Sequence, residues 1–102
     1  MYNALLDKLL LAKAVEKERD RVLSSILCNY RDIVPYIEPE RLMSVGNVSE
    51  GGVVKILTRV VVRDPSAIGR VKEMMGELGY KGIHVKKTKN GVEVWGYIYT
   101  RT

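Results

Sequence analysis

The 102-residue sequence contains no Gln and no Phe, and only one each of Cys, His and Trp. A lone Cys28 excludes an intrachain disulfide and a cysteine-based metal site within one chain. Its neighbours Ile26, Leu27 and Tyr30 lead to the expectation of a buried, inert thiol. The single His84 falls in a strand-like stretch, where a surface or packing role is expected rather than catalysis. No apolar run approaches the roughly 18 residues of a membrane span. The longest Leu-rich stretch, Leu5 to Ala12, is interrupted by Asp7 and Lys8 and runs into a charged segment without a secretory cleavage pattern. The expected setting is cytoplasmic, with no membrane partner.

Catalytic signatures are missing as well. The glycine-containing segment Gly46 to Gly52 lacks the Lys-Ser/Thr ending by which a phosphate-binding loop reaches phosphates and magnesium. It is expected to be a hairpin turn. Glu38 and Glu40 flank Pro39, with no apolar pocket in view to drive their pKa values apart for acid–base work. The expectation is a non-enzymatic protein with no catalytic residue, no metal and no cofactor.

What is present suits a folded chain. A hydrophobic share of 46% is ordinary for a packed core, and the length is that of one domain, residues 1–102. The net charge of +5 favours acidic partners and permits nucleic acid.

Residues 3 to 23 read as an N-terminal helix that Asn3 can cap, with Leu5, Leu6, Leu9, Leu10 and Leu11 at helical spacing. Leu5, Leu6, Leu9 and Leu10 are a candidate contact with a second copy or with the chain's own core. Glu16 to Arg21 has no apolar face and reads as solvated helix, supported by the pairs Glu16–Arg19 and Lys17–Asp20. A second helical stretch runs from Ser24 to Ile37, bent or ended by Pro35. Arg41 to Val48 and Val53 to Val62 read as strands around the turn Ser49-Glu50-Gly51-Gly52. Asp64 or Ser66 caps a third helix with the stripe Ile68, Val71, Met74, Met75 and Leu78. Ile83 to Thr88 and Val92 to Thr100 form a hairpin around Asn90-Gly91.

The order suggests a repeat. A shift of 40 lays the first hairpin on the second without a gap, Met43 on Ile83, Val45 on Val85 and Val54 on Val94. A shift of 41 lays Leu27, Tyr30, Ile33, Val34 and Ile37 on Ile68, Val71, Met74, Met75 and Leu78. Any two amphipathic helix–hairpin units align in this way, so duplication and mere pattern both remain open. The expected class is α+β: tandem αββ–αββ units, 24–63 and 64–102, with antiparallel hairpins packed on helices behind the N-terminal helix 1–23. Each unit is too small to bury its apolar face alone, so the two must pack together.

Strand alternation then sorts the faces. Val54, Ile56, Val60, Val94 and Ile98, with Met43, Val45, Ile83 and Val85, form the expected core face. Lys55, Leu57, Arg59, Trp95, Tyr97 and Tyr99, with Ser44, His84 and Lys86, form the other. Lys55, Arg59, Trp95, Tyr97 and Tyr99 are the candidate partner-binding residues, because aromatic side chains with polar tips suit a half-wet binding surface. The aromatics could instead pack under the N-terminal helix or at a homodimer contact. The expected function is a protein–protein interaction module. Its peptide or partner segment lies in a groove between the two units or on this aromatic, basic face, with strand addition to an exposed edge as one mode. The alternative is nucleic-acid binding through Lys81, Lys86, Lys87, Lys89, Arg101 and the aromatics.

The Gln-free, Tyr-, Val-, Lys- and Arg-rich composition and the compact layout of Leu27 to Arg101 resemble the small proteins of filamentous viruses that infect hyperthermophilic acidophilic archaea, such as those of Acidianus. The resemblance spans most of the chain and includes no signature motif. It implies a thermophilic viral protein acting in the host cytoplasm: an interaction module, a DNA-binding protein or a nuclease. The last is disfavoured by the absence of a clustered acid–Lys metal site. No functional residue is carried over from it.

Overall fold

The computed structural model describes residues 4 to 101, so the expected cap Asn3 lies outside the described residues. The chain folds as α1 (Ala4–Asn29), β1 (Met43–Val48), β2 (Val53–Val62), α2 (Ile68–Glu77), β3 (Lys81–Thr88) and β4 (Gly91–Arg101). The four strands form one antiparallel sheet in the order β1-β2-β4-β3. This is the α+β architecture that the alternating helical and strand periodicities predict.

α2 begins as its residues dictate. The Asp64 carboxylate accepts a hydrogen bond from the Ser66 amide, and Pro65 fills the first position of the opening turn. Val71, Met74 and Met75 then face the sheet and are fully buried, with Ile68 and Leu78 partly buried beside them. Val22 and Ile26 of α1 and Tyr30 just after it join the same core, against Val60, Val62 and Val94. Both helices therefore lie on one face of the sheet, and among the described residues the other face has no α-helix.

The first helix is longer than its pattern predicts. It runs unbroken through residue 23 to Asn29, and the expected second helix from Ser24 does not form. Pro35 lies instead in a 3-10 turn, Arg31–Tyr36. That turn leads into an extended segment held to the end of β2, where Ile37 bridges Val62 and the Glu38 amide donates to the Val61 carbonyl. Cys28 is exposed, not buried. The docked residues here are Val22 and Ile26 of α1 and Tyr30 directly after it, four apart, and Cys28 falls on the opposite side.

β1 reverses the face assigned to it. Met43 and Val45 pair with Arg59 and Leu57, so they share the uncovered face, while Ser44 and Gly46 point to the helices. The reason is the close approach of α1. A Cβ at Gly46 would lie 2.8 Å from Val15 Cγ2 and 3.1 Å from Leu11 Cδ1. Only the absence of a side chain lets the helix pass so near.

The strand order is the one a two-fold related pair of hairpins would adopt, but the gapless shift of 40 does not describe it. That shift would place Val85 opposite Tyr97, as Val45 lies opposite Leu57. Val85 pairs Val94, and Tyr97 pairs Lys81 across an irregularity between Lys81 and His84. The shorter turn between Thr88 and Gly91 displaces β3 along its partner.

Candidate functional site

Residues read as solvated charge build the junction of the two halves. Among the described residues, Glu18 forms its salt bridge with Arg21, not within the pairs that spacing suggests. Arg21 Nε donates to Glu18 Oε1 at 2.8 Å, and Arg21 Nη2 donates to the Leu78 carbonyl at 2.9 Å. The Tyr80 hydroxyl donates to Glu18 Oε2 at 2.5 Å. Because the carboxylate can only accept, the Thr58 hydroxyl donates to Tyr80 and Ser44 to Thr58, each at 2.8 Å. A directional chain thus runs from β1 through β2 and Tyr80 to α1. Glu18 is correspondingly well covered, with 11% of its side chain exposed. On the far side of α2, Tyr30 donates to Glu77, and the Arg70 guanidinium lies 4.4 Å from the Tyr30 ring centre while pairing with Asp32.

Both tyrosines hold their protons more tightly than free tyrosine. Tyr30 is pushed up to about 12, first by its hydrogen bond to the Glu77 carboxylate and then by burial. Tyr80 is raised as well, first by burial and then by its bond to Glu18. Unfolded tyrosines ionise near pH 10, so above that value the unfolded state binds fewer protons and folding stability falls as pH rises. The stabilisation is complete below about pH 10 and is lost towards the folded values. Urea midpoints measured from pH 9 to pH 11 should therefore decline, and less steeply in Tyr80→Phe. Equal slopes for both proteins would place the alkaline loss elsewhere.

Beside this junction lies a cleft of about 490 Å³. One wall is a face of α1, from Leu10 through Lys13, Ala14, Lys17 and Glu18 to Arg21. The other is Leu78 at the end of α2 with Ile98 to Arg101 of β4. β3 stops short here: its pairing ends at Lys81 opposite Tyr97, whereas β2 accompanies β4 on to Arg101. Ile98 to Arg101 therefore present a strand edge with no partner strand among the described residues, along the floor of the cleft. The rim is cationic, with Lys13, Lys17 and Arg101 exposed and Arg21 already engaged by Glu18.

The sequence-predicted partner residues Lys55, Arg59, Trp95, Tyr97 and Tyr99 lie mainly on the uncovered face, and register brings them together. Lys55 sits opposite Tyr99, and Arg59 opposite Trp95. The Lys55 ammonium lies 4.6 Å from the Tyr97 ring centre, and Tyr97 meets Tyr99 edge-on at 5.6 Å. Tyr97 also lies across Gly82, where a Cβ would fall 2.6 Å from the ring and φ is +59°, so two independent constraints require glycine there. Arg59 pairs with Glu93 at 3.7 Å, which also accepts from Trp95 Nε1 at 3.1 Å. Arg59 Nη2 donates to the Arg41 carbonyl, bringing the Pro39–Arg41 turn against this end of the face.

Tyr99 is the one predicted residue that also lines the cleft. Leu5, Leu6, Leu9 and Leu10 are exposed at the start of α1, and Leu10 continues into the cleft wall. Lys13, Ala14, Lys17 and Arg21 were not singled out from the sequence as site residues, and Leu78 entered only as part of the α2 stripe. The shared α1 face of the first four was readable from the three-to-four spacing, but nothing local announces the strand edge it confronts. Among the described residues no group of three His, Cys, Asp or Glu could hold a metal ion. No helix there is long and apolar enough to cross a membrane. No family model, curated protein or solved structure matches the chain.

Proposed function

We propose that the protein is a non-enzymatic interaction module that takes an extended peptide segment of a partner protein into the cleft between α1 and β4. The observation that carries this reading is the edge of β4 at Ile98 to Arg101 on the side away from β2, left without a partner strand among the described residues at the floor of a cleft of about 490 Å³. An added strand satisfies those main-chain groups by continuing the sheet where β3 leaves off, and pockets for alternate side chains supply selectivity. Leu10, Ala14, Leu78 and Ile98 offer apolar contact, and Lys13, Lys17 and Arg101 select acidic side chains. The preferred segment alternates apolar and acidic residues. A module of this kind and size suits a small viral protein working in the host cytoplasm, the setting that the resemblance to the archaeal-virus proteins implies.

Random peptides displayed on phage and selected on the immobilised full chain test this. Selected peptides should share that alternation. Synthetic versions should bind about tenfold more weakly to Lys13→Glu/Lys17→Glu, a loss of roughly 1.4 kcal/mol. Proline scanning should abolish binding at every second peptide position, where an amide is needed for pairing. Uniform tolerance of proline, or unchanged binding to the variant, would refute the reading.

A further inference from the structure

The net charge of the protein is located on its sheet. The four strands carry six cations, Lys55, Arg59, Lys81, Lys86, Lys87 and Arg101, and a single acid, Glu93. The rest of the chain is balanced, its eleven other cations matched by eleven acids. Pairing registers put five of the six strand cations on the face without a helix, since Lys81 pairs Tyr97, Lys86 pairs Glu93 and Arg101 pairs Val53. Glu93 is buried and already engaged by Arg59 and Trp95, so the face presents uncompensated positive charge.

That charge is arranged around rings. Trp95, Tyr97 and Tyr99 form a row along β4. On one side, in β3, Lys81 lies opposite Tyr97 and Lys86 opposite Glu93. On the other, in β2, Lys55 lies opposite Tyr99 with its ammonium over Tyr97. A row of π faces flanked on both sides by cations matches one polymer, a single nucleic-acid strand, whose bases stack on the rings while its phosphates meet the flanking charges. A duplex hides its base faces and would use only the cations. An acidic polypeptide would likewise leave the rings idle.

We infer that the uncovered sheet face binds single-stranded nucleic acid along β4, a site that meets the peptide cleft on the helix side only at Tyr99 and Arg101, which line both. Lys55 moves from the Tyr97 ring to a phosphate as a base takes its place. The contact is sequence-tolerant, because stacking and charge supply it without base-edge readout.

Trp95 is the only tryptophan, so its fluorescence reports the face directly. The full chain is titrated with a labelled oligothymidylate, the matching duplex and polyglutamate. Oligothymidylate should bind at low salt and quench Trp95. With four phosphates met by Lys55, Lys81, Lys86 and Arg101, the log–log salt slope should be about −3. Lys55→Glu/Lys86→Glu should weaken binding by about tenfold or more, and Lys8→Glu/Lys72→Glu, an equal charge change on the helices, by less than about twofold. The proposal is overturned if no oligonucleotide binds, or if Trp95 is unquenched at saturation. It is equally overturned if duplex or polyglutamate binds as tightly, or if the helix variant loses as much as the face variant.

Discussion

Replacing Glu18 by Leu should lower the thermal midpoint by about 8 °C, whereas Glu16→Ala, two residues away, should move it by less than about 2 °C. Both carboxylates occupy the same charged run of α1, and helical spacing alone treats them alike. Glu18 accepts from Arg21 and from Tyr80, whose own hydroxyl ends the chain from Ser44 and Thr58. Removing the acceptor strands hydrogen bonds to a charged, largely covered group, a loss of about 2 kcal/mol. For a domain of this size each kcal/mol is worth roughly 4 °C. The exposed Glu16 should contribute within about 0.5 kcal/mol. Differential scanning calorimetry of the two variants decides the matter. Equal shifts would mean that Glu18 is as solvated as its neighbours.

Gly46→Val should destabilise the protein even though valine is much the better strand former. Intrinsic preference favours valine by up to about 1 kcal/mol. The structure opposes it, because the first added carbon meets Val15 at 2.8 Å and Leu11 at 3.1 Å. Overpacking of this kind costs about 1–3 kcal/mol and should win. The damage should be local. Hydrogen exchange should quicken over the N-terminal half of α1, which forms the cleft wall, and much less beyond Glu18, where Arg21 and Tyr80 still tie the helix down. Val15→Ala should cost stability alone yet restore part of it in the Gly46→Val background, because the two changes share one contact. Strict additivity would show that the helix does not pass where it is placed.

β2 was legible because eight of its ten residues are apolar or β-branched, so either side of it reads as a strand. α2 was legible for a similar reason: its cap, its proline and its stripe all lie within one short segment. β1 was not. Its apolar alternation points Met43 and Val45 inwards, but the helix above needs small residues beneath it, so Ser44 and Gly46 face the core. The length of α1 was hidden because Ser24 to Asn29 carries an apolar pattern that reads equally as the start of a second helix ended by Pro35. The role of Glu18 and Arg21 was hidden because their partners, Leu78 and Tyr80, lie far along the chain. The aromatic and basic face could be read from alternation in β2 and β4, since those strands pair directly.

Local sequence by itself determined the strands, the N-terminal helix and α2, though not the fate of Ser24 to Ile37, together with the α+β class, the core stripe of α2 and the clustering of Trp95, Tyr97 and Tyr99, all of which follow from periodicity within single segments. Only the tertiary structure decided which face β1 turns to the helices, which acid is covered, and where β3 stops beside β4. Each of these depends on groups brought together across the chain, and a strand's free edge is a property of what its neighbour fails to reach.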